Sequence, residues 1–99
     1  MRMLLNVSMS VEKGNEAITS GALQRTLQAT METLEPEAAY FYPDPENGKR
    51  TAMFVFDMEG SWQLPPLLEP LFQNLDASLR VTPVMNAEDL QRGLQEIGA

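Results

Sequence analysis

The chain has 99 residues, a formal net charge of −7, and neither cysteine nor histidine. Those two absences exclude disulfides, thiol catalysis, zinc sites built on Cys or His, haem held by either residue, and any Ser-His or Cys-His relay. Seven basic residues against fourteen acidic ones give no basic stripe for a phosphate backbone and no attraction to an anionic bilayer, so neither nucleic acid nor membrane is an expected partner.

The length is that of one domain, residues 1–99, able to fold alone around a modest core. No apolar run approaches the ~18 residues of a membrane span. The opening "MRMLLNVSMSVEKGN" lacks the apolar stretch and small-residue cleavage site of a secretory signal. With no cysteine to oxidise, the expected location is the cytoplasm.

The first strand is expected over 2–10, with Met3, Leu5, Val7 and Met9 on one side and Leu4, Asn6 and Ser8 on the other. Gly14-Asn15 predicts a turn, and Asn15 then caps a helix over 15–34. Leu23, Leu27, Met31 and Leu34 form its apolar stripe. Ile18 falls off that stripe, so either the helix shifts at Gly21 or Ile18 packs elsewhere. Pro36 ends the helix. "AAYFY" and "TAMFVFDM" predict a hairpin. With Asn47-Gly48 as a two-residue turn, Tyr42 faces Met53, Phe41 faces Phe54, and Tyr40 faces Val55.

Ser61 then caps a second helical region. Pro65, Pro66 and Pro70 predict a turn over 61–64 followed by a short helix bent near Pro70, with Leu67, Leu71 and Leu75 facing inward. "SLRVTPVM" is the fourth strand, and Asn86 caps a last helix whose stripe is Leu90, Leu94 and Ile97. The order βαββαβ plus a C-terminal helix is that of an α+β, ferredoxin-like sandwich. Its antiparallel four-stranded sheet has order 4-1-3-2, with the two main helices on one face.

Strand parity sorts the sheet into two faces. One is apolar and belongs under the helices: Met3, Leu5, Val7, Ala39, Phe41, Phe54, Phe56, Leu79 and Val81 among others. The other mixes Leu4, Tyr40, Tyr42, Met53, Val55 and Val84 with Asn6, Ser8, Asp57, Arg80 and Thr82. A soluble monomer avoids so large an apolar patch, so the expected cover is the same face of a second copy, in a homodimer. The polar members then serve either as interface partners or as the lining of a site for a small, largely apolar or aromatic ligand.

This order and length resemble the dimeric α/β-barrel superfamily, in which two such sheets pack face to face. "PEAAYF", "FVFDM" and "VTPVMNAEDL" also resemble a small uncharacterised bacterial family of that type. The superfamily includes muconolactone isomerases, chlorite dismutases, and cofactor-free and haem-degrading monooxygenases, besides members that only bind or regulate. Fold therefore selects no single function. In its monooxygenase branches, an Asn on the first strand and a Trp after the third help form the active site. The resemblance carries this onto Asn6 and Trp62. Haem degradation needs a histidine that this chain lacks.

Asn6, Tyr40, Trp62 and Arg80 are the candidate ligand-binding residues. An amide can hold a carbonyl or oxygen adduct, an indole can shape a pocket, a phenol can orient a phenolic substrate, and a guanidinium can grip a carboxylate. Arg80 has Asp57 as its alternative partner. "DPENG" is spaced wrongly for a calcium loop, no metal is expected, and no cofactor is called for. The seven methionines are taken mainly as core filling. Two classes of function stand: a non-catalytic or small-ligand-binding dimeric module, and a cofactor-independent monooxygenase or isomerase acting on a small aromatic or enolic metabolite.

Overall fold

A computed structural model describes residues 1–98. The chain forms β1 (Arg2–Ser8), α1 (Val11–Ser20), α2 (Ala22–Leu34), β2 (Ala38–Pro43), β3 (Arg50–Asp57), a 3₁₀ turn (Ser61–Gln63), α3 (Leu64–Leu75), β4 (Ser78–Pro83) and α4 (Ala87–Glu96). The strands make one antiparallel sheet, ordered β2-β3-β1-β4, which from the other edge runs β4-β1-β3-β2.

β1 is central and alternates strictly. Met3, Leu5 and Val7 are buried, whereas Leu4, Asn6 and Ser8 are half-buried. The buried set joins Phe54 and Phe56 of β3 and packs beneath Ala17, Leu34, Leu71 and Leu75 of the helices. That is one continuous core on one side of the sheet. No helix of the described residues is long and apolar enough to cross a membrane.

The helical segment after β1 begins earlier than Gly14-Asn15 suggests. Ser10 is the cap, its hydroxyl accepting from the Lys13 N–H at 3.1 Å, so Gly14 and Asn15 lie within the first helix. Gly14 is buried there because the Arg50 side chain crosses it. A Cβ would sit 2.7 Å from the Arg50 guanidinium, which donates to the Asn15 side chain at 3.0 Å. The segment breaks at Gly21, whose φ of 82° is left-handed. The break frees Ile18, which is exposed. In α2, Leu34 is buried, Leu23 and Leu27 are half-buried, and Met31 is exposed. The residues buried beside Leu34 are Thr26 and Thr30, and the Thr30 hydroxyl bonds back to the Thr26 carbonyl at 2.8 Å.

The β2–β3 hairpin is also longer than a two-residue turn. The Asp44 carbonyl accepts from the Gly48 N–H at 2.7 Å, and the Asp44 N–H donates to the Lys49 carbonyl at 2.8 Å. Gly48 takes a left-handed φ of 72°. The register is therefore Tyr42 to Thr51, Phe41 to Ala52, and Tyr40 to Met53, two residues from the expected pairing. An even slip leaves each side chain on its face.

Pro65 and Pro66 fall in the first turn of α3, where backbone N–H groups have no helical acceptor in any case. Pro70 lies inside the helix. Leu71 and Leu75 are buried, and Leu67 is half-buried. Ser61 makes no capping bond. The Gln63 amide oxygen instead accepts from the Glu59 N–H at 2.7 Å.

A left-handed glycine at the α1–α2 joint can be tested directly. Gly21→Ala is expected to lower unfolding free energy by about 1–2 kcal/mol in urea titration. Gly21→Asn should recover part of the loss, since Asn tolerates this conformation.

Candidate functional site

The hairpin slip decides what stands beside Asn6. Across the sheet, Tyr40 pairs with Met53, Met53 with Asn6, and Asn6 with Arg80. Three of the four candidate residues thus share one row on the side away from the helices. The row spans about 14 Å at strand spacing. Leu4 and Val55 flank it in the next row, with Ala38 and Thr82 at its ends. Directly paired side chains lie within about 5 Å at Cβ, so the Asn6 amide and the Arg80 guanidinium can both reach one ligand atom.

Among the described residues, Asn6, Tyr40 and Arg80 make no side-chain hydrogen bond or ion pair, and no buried side-chain polar atom lacks a partner. Tyr40 is 61% exposed. Asp57 is not the partner of Arg80. Its carboxylate accepts from the Met1 amino group at 2.8 Å, and that contact, by hydrogen bond and by charge, holds the Asp57 pKa below its ordinary value. Arg2, on the same face, is taken up by Glu37 and by Asp89 of α4. The hydrogen bond to Glu37 leads the causes that raise the Arg2 pKa. Arg80 is therefore the cation on this face with no acidic partner among the described residues.

Trp62 stands apart. It belongs to the 3₁₀ turn beyond β3, whose last residue, Asp57, lies about 13 Å along the strand from Met53. Its indole covers the Gly60 backbone so closely that a Cβ there would fall inside the ring. The ring is 70% exposed. Trp62 lies on no strand and so is not a member of the row with Asn6.

Two further features lie outside that row. The first is an apolar groove of about 450 Å³ on the helix side of the sheet, between α2 and β2, lined by Leu23, Leu27, Val7, Phe41 and Ala52 with Arg50 among others. It exists because α1, α2 and α3 pack over the β1–β3 centre and leave β2 uncovered. Phe41 is more than half exposed and meets Phe54 edge-on at 6.0 Å between ring centres. The second is α4. Asn86 caps it as expected, accepting from the Asp89 N–H at 2.8 Å while the Asp89 carboxylate accepts from the Asn86 N–H at 3.2 Å. Yet Leu90, Leu94 and Ile97 are all exposed. No group of three or more Asp or Glu among the described residues is placed to hold a metal ion.

No family model, curated protein or solved structure matches the chain.

The Arg2 bridge to α4 is exposed, and such pairs contribute little to global stability. Arg2→Ala should leave the urea unfolding midpoint nearly unchanged. It should, however, quicken amide exchange across Ala87–Glu96 in a mass-spectrometric deuterium experiment. Unchanged exchange would mean that α4 is held by something other than the Arg2–Asp89 pair.

Proposed function

We propose that the chain is one half of a homodimer in which two open sheet faces meet and hold a small ligand, a binding module of the ferredoxin-like, dimeric α/β-barrel kind. The observation that carries this is the row Tyr40–Met53–Asn6–Arg80. It combines apolar surface, an aromatic ring, an amide and an uncommitted cation on one sheet face. Covering that face buries Leu4, Met53 and Val55, a favourable change. It also takes Asn6 and Arg80 out of water, which is costly unless they gain partners. A ligand with an aromatic or apolar body and an anionic oxygen supplies both needs. The ring lies over Met53 against Tyr40, and the oxygen meets Arg80 and Asn6.

One observation favours a second reading, that of a cofactor-independent monooxygenase or isomerase. A neutral amide and a fixed cation on paired positions are the groups that stabilise an enolate or oxyanion as it forms. On this reading Asn6 and Arg80 hold the substrate oxygen of a small aromatic or enolic compound, and Tyr40 orients the ring.

Light scattering at micromolar concentration should give twice the 11.1 kDa chain mass, and Leu4→Asp should return it to a monomer. Calorimetric titration with small aromatic carboxylates such as benzoate, salicylate and cinnamate should find a binder that Arg80→Ala weakens at least tenfold. A monomer, or binding indifferent to both Asn6→Ala and Arg80→Ala, would remove the reading. Oxygen uptake or proton exchange with phenolic and enolic compounds, lost in Asn6→Ala, would select the catalytic class.

A further inference from the structure

We infer that α4 is an exchanged arm, and that its Leu90–Leu94–Ile97 stripe seats in the α2–β2 groove of a second copy of this chain. The inference rests on the homodimer part of the reading above. The stripe and the groove are two unpartnered apolar surfaces on one molecule. All three stripe residues are exposed, Ile97 at 78%, and the ion pair that ties α4 to the sheet is Arg2–Asp89 at 3.2 Å. The radius of gyration is 15.4 Å, against about 13 Å for a compact domain of this length, as a projecting helix requires.

The chain's own groove is out of reach. α4 leaves from the end of the sheet where Val84 bonds to the Arg2 carbonyl at 3.1 Å, and its tie to Arg2 lies on the open face. The groove is at the other end of β1, beside Val7 and Met9, about 16 Å along the strand, and on the helix face. A ten-residue helix is about 15 Å long and starts on the wrong side of the sheet. In the proposed arrangement the helix of one copy wraps the β2 edge of the other, where that copy's groove opens.

Charge and area favour the same occupant. α4 carries Glu88, Asp89 and Glu96 against Arg92, while Arg50 lines the groove with Lys49 beside it. Four strands, the longest of seven or eight residues, give the open face a flat footprint of roughly 450 Å². A standard interface covers roughly 800 Å² of accessible surface on each partner. Two exchanged helices extend a small sheet contact and remove the apolar surface that it leaves exposed.

The chain has no cysteine, so introduced thiols are the only ones present. A Leu94→Cys chain co-expressed with a Leu27→Cys chain should give a disulfide-linked heterodimer under mild oxidation on a non-reducing gel. Arg92→Cys, on the opposite side of α4, should give none with Leu27→Cys. Leu90→Ser combined with Leu94→Ser should weaken the dimer at least tenfold by sedimentation, with the fold retained by circular dichroism. A monomeric parent would sink both the dimer and the arm. A dimer with no Leu94→Cys/Leu27→Cys link, or one as tight in the double serine variant as in the parent, would overturn the arm and leave the dimer standing. So would a link within a single chain carrying both cysteines.

Discussion

Everything in this fold depends on β1 being a strand with two different sides. Met3, Leu5 and Val7 are sealed beneath helices, while Leu4, Asn6 and Ser8 are half-covered by their own sheet neighbours. Three helices are enough to cover the centre of a four-stranded sheet on one side. They do not cover both sides, and on the covered side they leave β2 bare. The open face, the groove at β2 and the unpacked α4 are three consequences of that single shortage of covering surface. A small domain buries a smaller share of its surface than a large one.

The parity of the strands was legible because a period of two admits no drift. The expected hairpin register missed by two residues, yet Tyr40 and Tyr42 stayed on the open face and Phe41 stayed on the other, because an even slip preserves sidedness. What the slip changed was the neighbour. Tyr40 stands beside Met53 and so falls in line with Asn6 and Arg80. The cause is local. Asn47-Gly48 resembles a two-residue turn, but the carbonyl that closes this loop belongs to Asp44 and accepts from Gly48. The start of α1 was missed for a similar reason. Gly14-Asn15 resembles a turn in isolation, whereas in the fold the Arg50 side chain crosses Gly14 inside the helix.

Residue type suggested Asn6, Tyr40, Trp62 and Arg80, but their assembly depends on strand pairing and on the path of the chain beyond β3. Asn6 and Arg80 pair because β1 lies between β3 and β4. The alternative Arg80–Asp57 pair does not form, because Asp57 sits at the far end of β3 and opposite Arg2. Trp62 depends on loop geometry that no periodicity reports, and it lies over Gly60. The α4 stripe illustrates a different limit. Amphipathic spacing states that a helix face needs apolar cover, and it is silent on which surface provides that cover.

The polar row and the missing cover are linked by one energetic argument. A sheet face of Leu4, Met53 and Val55 alone would gain from being covered by any apolar surface, and would be a hazard for non-specific association. Asn6 and Arg80 change that. Each must leave water when the face is covered, and an unpaired buried cation costs more than several apolar contacts return. Only a cover that brings an acceptor to Arg80 and a partner to Asn6 is favourable. On the dimer reading, the row makes association selective. The apolar residues drive the faces together, and the amide and guanidinium reject any arrangement that leaves them unmatched. The same requirement gives a ligand its place, since an anionic oxygen bound between Asn6 and Arg80 removes the penalty that the empty interface would otherwise bear.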